Sequence, residues 1–378
     1  MSKNTSIQPS NSNSSIPSAD DVERAAIDQG ATSEQVEEIL WLVDFARTQG
    51  INSFARLGKE IGISDSSVSL VLRGKYTKTE ERKGAGSVAG FCEAVRNFRE
   101  VWTQRQELGP KIFVPELSVV KRVAVFADLV RATQQIGIMW GDNQTGKSEA
   151  EKYYARTHKT TCYTKLPAGG ACIPAMEGLA RARGGIKIRV NHWHLRAVLL
   201  RSFNPQWLII ADEFHQTVKG RTLKTVTIDR FREFNDDSEC GLLLCGTKQL
   251  PEALEEEVHR NFLGQIGNRG ILRLQIPTAP EPRDIELLAK AYGFEGMPIG
   301  KAAVTVRAIA NERGIGALSR FFTVARRNAK QSHERLAWKH FTTTTHSIDS
   351  WSKGELADGS KQKQLPAGNG PQQLEDAQ

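Results

Sequence analysis

Between a polar start and a polar end, apolar residues recur along this chain in two rhythms. From about Asp20 to Arg82 the rhythm is helical. Thr32 with Gln35 resembles a capping box ahead of Val36, Ile39, Leu40 and Val43, which recur at three- and four-residue steps. Further helices are expected over Phe54–Glu60 and Asp65–Leu72, and, beyond a small-residue stretch at 83–90, a connecting helix over Phe91–Glu107. A second body begins near Phe113. Its first helix, Ser118–Thr133, carries Val119, Val123, Phe126 and Val130 on one side. Short apolar runs then alternate with helical stretches: QIGIMW, TTCYTKL, WLIIAD, GLLLCG and ILRLQI. That alternation predicts an α/β fold, a parallel sheet with helices on both faces. From Arg283 to Gln331 the pattern is helical throughout, as expected of a helical lid. The expected organisation is therefore a disordered arm (1–20), a small all-α domain (21–82), a hinge and connecting helix (83–112), the α/β core (113–282), the lid (283–351) and a disordered tail (352–378).

Composition narrows the classes. The first twenty residues hold seven serines and three asparagines, too little apolar surface to offset the entropy of ordering. No run approaches the length of a membrane span, and the start of the chain lacks the apolar core of a secretory signal, so a cytoplasmic protein without membrane contact is expected. The five cysteines, Cys92, Cys162, Cys172, Cys240 and Cys245, are scattered and odd in number, as suits reduced core thiols. Lys and Arg total 51 against 43 Asp and Glu, a net charge of +8 that mildly favours a polyanionic partner.

The sharpest chemistry lies at Gly141, Asp142, Asn143, Gln144, Thr145, Gly146, Lys147 and Ser148, which together match G-x-x-x-x-G-K-[ST] between an apolar run and a helical stretch. In that context the glycines let backbone N–H groups converge on an anion, and the helix N-terminus adds positive potential. Lys147 is expected to meet the β- and γ-phosphates of ATP, and Ser148 to ligate Mg²⁺. The run Leu208–Ala211 ends in Asp212 and Glu213. Asp212 is the second candidate for the metal, and Glu213 the general base toward water. Thr247, at the end of GLLLCG, is a candidate to orient that water, or an ordinary strand-end threonine.

The N-terminal segment 54–73 fits a helix-turn-helix, with Gly62 in the turn and Leu57, Ile61, Ile63, Val68 and Val71 between the helices. Its second helix offers Ser66, Ser67, Ser69 and Arg73, which suit phosphate contact on double-stranded DNA better than base readout; a hairpin used only for packing has the same pattern. Residues 179–201 carry six Lys/Arg side chains and no acid, and Lys187 and Arg189 are the candidates there for contact with a DNA backbone, against a merely solvated face. A second basic cluster is Lys219, Arg221 and Lys224. His192 and His194 lack a third ligand at metal-site spacing and are read as structural.

These motifs, in this order over residues 113–330, resemble the additional-strand P-loop ATPases of the AAA+ group. The resemblance implies a third strand ending in Asp-Glu, a polar sensor on the fourth, a helical lid, and a basic residue supplied by a neighbouring subunit. That residue falls in or directly before NFLGQIGNRGILRLQI, with Arg269 within it the first candidate and Arg260, just before it, the second. A lid arginine in a G-x-x-R pattern is also implied; here GALSRF puts Arg320 one position late. A helix-turn-helix ahead of a lone AAA+ body is similar to the phage Mu transposition protein B type of transposon target-selection ATPase. That type implies ATP hydrolysis, a homo-oligomeric ring or helical filament on DNA, and a transposase partner. The alternative is a helix-turn-helix DNA-binding regulator whose P-loop is a nucleotide-controlled switch with negligible turnover.

Overall fold

Two strands, Leu208–Asp212 (β3) and Gly241–Gly246 (β4), are buried at every position, and their side chains alternate between two cores. Ile209, Ala211, Leu242 and Leu244 face one core; Ile210, Leu243 and Cys245 face the other. A strand covered on both faces must be apolar throughout, which is why these runs read as continuous. The computed structural model describes residues 15–76, 87–186, 191–218, 224–256 and 272–352. The chain divides into two compact units, Met1–Pro110 and Lys111–Gln378.

In the C-terminal unit, β3 and β4 belong to a five-stranded parallel sheet with Ile136–Trp140 (β1), Thr161–Lys165 (β2) and Leu272–Gln275 (β5), in the order β2-β3-β4-β1-β5. The strand β4 is inserted between β1 and β3, which is the additional strand that the AAA+ resemblance implies. Register then places the chemistry. Trp140 pairs with Gly246 and Lys165 with Asp212, so the phosphate loop, the acidic pair and Thr247 all leave the same edge of the sheet.

The helices of this unit are Ser118–Thr133 (α6), Lys147–Thr157 (α7), Cys172–Arg183 (α8), His192–Ser202 (α9), Thr225–Ser238 (α10), Gln249–Glu255 (α11), Pro282–Tyr292 (α12), Gly300–Gln331 (α13) and Trp338–Ser352 (α14). Asp284 fastens α6 to the first turn of α12: its carboxylate accepts from the Ser118 backbone N–H at 2.7 Å, from the Ser118 hydroxyl, and from the Glu281 N–H at 3.2 Å. The long helix α13 is broken at Gly314, whose φ of 80° and ψ of 170° leave the helical region. In α14 the rings of Trp338 and Phe341 pack with Phe322 of α13 and Phe294, within the same core that covers one face of the sheet.

The N-terminal unit contains Ala19–Asp28 (α1), Ser33–Thr48 (α2), Phe54–Ile61 (α3), Asp65–Leu72 (α4) and Val88–Leu108 (α5). The expected capping box at Thr32 and Gln35 is formed. Gly62 ends α3 with φ 75°, and Ser64 caps α4 by accepting from the Ser67 N–H. Leu57, Ile61, Val68 and Val71 are buried in one core, with Ile63 packed against it. The helix read from sequence as a connector, α5, sends Phe91, Cys92 and Val95 into that core, and its Phe98 and Trp102 pack with Trp41 and Phe45 of α2.

The buried cysteines are core thiols: burial pushes Cys92 up to about 11 and Cys240 to about 12. No helix among the described residues is long and apolar enough to cross a membrane.

Candidate active site

The phosphate loop joins β1 to α7. A Cβ on Gly141 would lie 2.6 Å from the Ile276 carbonyl oxygen, so the loop's start has no room for a side chain. Gly146, at φ 95°, turns the chain into α7. Lys147 is buried and its ammonium donates to the carbonyl oxygens of Gly141 at 2.8 Å and Asp142 at 2.7 Å, and to Thr145 Oγ1 at 3.1 Å. An ammonium has three donors, and here all three are engaged by the loop itself. Burial lowers the Lys147 pKa; Glu151, Cys245, Asp212 and Asp142 act in the opposite sense.

Residues Asn143 to Glu149 line a cavity of about 330 Å³, together with Asp212, Glu213, Gly246, Thr247, Ser319 and Arg320. Gly141 and Asp142, expected among the nucleotide contacts, do not line it; they act through the carbonyls that hold Lys147. Opposite in character is an apolar wall of Ile112, Phe113, Val114, Val120, Leu288 and Ile315. A cleft with an apolar wall on one side and the phosphate loop at a helix N-terminus on the other matches a nucleotide's two ends. This wall escaped the sequence reading, because its members come from separated segments.

Asp212 is 3% exposed. Its Oδ2 accepts from the Tyr163 hydroxyl at 2.7 Å and its Oδ1 from the Glu213 N–H at 2.8 Å, so the carboxylate is fixed in orientation. Tyr163 was not singled out from sequence. Asp212 and the Ser148 hydroxyl are hard oxygen donors on the same cavity, which fits Mg²⁺, an ion commonly held by few protein oxygens plus phosphate and water. Glu213 sits in the left-handed region at φ 58°, and its Oε2 lies 3.5 Å from Nε2 of the buried His215. His215 was likewise missed. Thr247 lines the cavity, and its buried Oγ1 finds no hydrogen-bond partner among the described residues.

Behind the loop stands Glu151, one helical turn after Lys147 and fully buried. Burial first, and the Asp212 carboxylate second, raise its pKa well above the usual carboxylate range. Burial thus works against the charged form of this carboxyl.

The lid reaches the phosphate loop directly. Gln144, at φ 66°, offers its carbonyl to the Gly316 N–H at 2.7 Å. A Cβ on Gly314 would lie 2.8 Å, and one on Gly316 2.7 Å, from that same oxygen. Gly316→Ala is therefore expected to push the lid off the loop. Overpacking of this kind costs about 1–3 kcal/mol, so ATP affinity is expected to fall about tenfold or more. Titration with a fluorescent ATP analogue checks this; an unchanged affinity would remove the contact from nucleotide binding. Arg320 does line the cavity, with an exposed side chain, and the preceding Ser319 instead pairs its hydroxyl with that of Tyr292 at 2.7 Å.

The candidate DNA residues are distributed differently. On α4, Ser66 is exposed and Ser67 and Ser69 are half-buried, as is Arg73 just after the helix. The Ser66 and Ser67 hydroxyls share hydrogen bonds with Ser64 Oγ at 3.0 and 2.8 Å, and the Arg73 guanidinium lies over the Phe54 ring at 4.9 Å. Lys187, Arg189, Lys219, Arg221, Arg260 and Arg269 lie outside the described residues.

No protein-family model matches the chain. Among solved structures, it is loosely similar to the ORC2 protein of Aeropyrum pernix in its ADP form, at TM-score 0.48 and 14% identity over 64% of this chain and 72% of that one. It is similar also to the RuvB Holliday junction branch migration motor of Thermotoga maritima, at TM-score 0.41 and 13% identity over 67% and 76% of the two chains. By sequence, with 24% identity over 256 residues covering 65% of this chain and 74% of each relative, the chain is similar to the ATP-dependent target DNA activator B of Escherichia phage Mu and to its counterpart in Escherichia phage D108.

Proposed function

We propose that this chain is a Mg²⁺-dependent ATPase that assembles on double-stranded DNA in its ATP form and delivers target DNA to a transposase. The observation that carries the ATPase reading is the single cavity on which an apolar wall, the phosphate loop, Asp212, Glu213 and Thr247 meet. The similarity to target DNA activators supports the DNA and transposase roles.

In this reading the base packs on the Phe113–Val114 and Ile315 surfaces. The triphosphate takes Lys147 away from the loop carbonyls. Ser148 and Asp212 would hold Mg²⁺, which would supply charge neutralisation for the phosphates. Glu213 accepts the proton of the attacking water, and Thr247 orients that water toward the phosphorus. Arg320 reaches the phosphates from the lid. Arg269 of an adjoining copy completes the site, and this dependence on a neighbour ties turnover to assembly in a ring or filament. The helix-turn-helix face of Ser66, Ser67, Ser69 and Arg73 captures DNA, and Lys187 and Arg189 follow its phosphates.

The test is DNA binding across a salt series, with and without a non-hydrolysable ATP analogue. Assembly is expected to require the analogue and to be weakly sequence-selective. Changing Lys187 and Arg189 together to Ala is expected to reduce the slope of log affinity against log salt by roughly 0.9 per lost phosphate contact, with ATP affinity in the absence of DNA unchanged. Tight binding to one short duplex, indifferent to nucleotide, would overturn the assembly reading in favour of the regulator.

A further inference from the structure

Most large aromatic side chains of this protein are buried or half-buried. Among the described residues, Trp193 is the one aromatic side chain with more than a third of its surface in water, at 70% exposure. It occupies the first turn of α9, whose start is fixed by Asn191: the Asn191 side-chain oxygen accepts from the Trp193 N–H at 2.8 Å and the His194 N–H at 3.4 Å. The backbone under the indole is thus held, while the ring stands largely in water. The helix itself is anchored by Leu195 and Leu199 in the core, and by Arg196 on Glu233 of α10. The Ser238 hydroxyl at the end of α10 donates to the Leu200 carbonyl at 3.1 Å, so α9 and α10 run in the same direction. Since α10 leads into the start of β4, the Trp193 end of α9 points toward the sheet edge that carries Asp212 and Glu213.

The segment that carries Trp193 is basic in sequence. Residues 179–201 contain no Asp or Glu, and the neighbours His192 and His194 are both exposed. An exposed indole costs hydration free energy unless something covers it. A partner that is flat, aromatic and negatively charged matches both properties, and nucleobases with their phosphates supply all three. The bases of an intact duplex are already stacked on one another. An indole gains a π-face only where a base pair is absent or easily opened.

We propose that Trp193 is a nucleobase-stacking residue that gives this protein a preference for DNA containing unpaired or mispaired bases. The proposal rests on the DNA-binding reading above and adds a ligand feature to it.

The test uses the full chain with an ATP analogue and two duplexes of one sequence, one fully paired and one with a central mismatch. The unmodified protein is expected to favour the mismatched duplex. Trp193→Ala is expected to lose that preference and to bind the mismatched duplex about tenfold more weakly, as stacking on a base is worth about 1–3 kcal/mol. The salt slope is expected to stay unchanged, because no phosphate contact is removed. Trp193→Phe is expected to retain part of the preference, and only the tryptophan form is expected to show the DNA-dependent quenching of indole fluorescence. Equal affinity of the unmodified protein for both duplexes, or a preference that survives in Trp193→Ala, would overturn the proposal while leaving DNA binding standing. A change in self-association without a change in DNA affinity would overturn it too, and assign the indole to a contact between copies. No DNA binding by the unmodified protein would sink the underlying reading itself.

Discussion

Replacing Lys147 with Ala is expected to abolish measurable ATP binding. The side chain is buried, and its ammonium makes three hydrogen bonds within the loop that a triphosphate must enter. On binding, those donors move from neutral oxygens to anionic ones. Charge-assisted hydrogen bonds are worth about 1.5–3 kcal/mol each, so losing two of them lowers affinity on the order of 100-fold or more. The loop would also lose the cation that gathers the Gly141 and Asp142 carbonyls. Isothermal titration with ATP and Mg²⁺ reads the loss directly. Thermal unfolding without nucleotide is the control: the apo variant should still melt cooperatively, while the stabilisation that ATP gives the unmodified protein disappears. Retention of that stabilisation would remove Lys147 from the phosphate site.

Glu213→Gln is expected to separate binding from turnover. The substitution keeps size and hydrogen-bonding capacity toward His215, 3.5 Å away, but removes the proton acceptor. A positioned general base contributes typically 10²–10⁴-fold, so the rate of phosphate release is expected to fall at least about 100-fold with ATP affinity preserved. If assembly depends on the ATP form, this variant should also persist on DNA longer than the unmodified protein when ordinary ATP is supplied. Phosphate release under saturating ATP is the measurement; turnover equal to that of the unmodified protein would end the assignment of Glu213 as base.

The elements with one dominant physical cause were legible in the sequence. Strands β3 and β4 are covered on both faces, which demands unbroken apolar runs, and the loop motif needs its glycines and lysine at fixed spacing. Helix α1 went unread because its buried residues, Val22 and Ala26, are few and small. Helix α9 was read only as a basic stretch, since just Leu195 and Leu199 mark its inner face. The apolar wall of the cavity joins Phe113, Leu288 and Ile315, which local periodicity cannot connect. Glu151 looked like one acid among several in a charged helix; its burial follows from lying one turn beyond Lys147, on the face that α7 turns to the sheet. His215 and Tyr163 acquire meaning only once Glu213 and Asp212 have positions.

The break in α13 is also a fulcrum. From Gly316, whose N–H grips the phosphate loop, the helix continues to Gln331 as a rigid arm of roughly 20–25 Å at 1.5 Å per residue. A turn of about 10° at the pivot, well within what a glycine in an extended, left-handed conformation absorbs, sweeps the far end of such an arm through about 4 Å. With that lever, a displacement of a few tenths of an ångström at Gln144 would correspond to about the width of a side chain at the distant end of the helix.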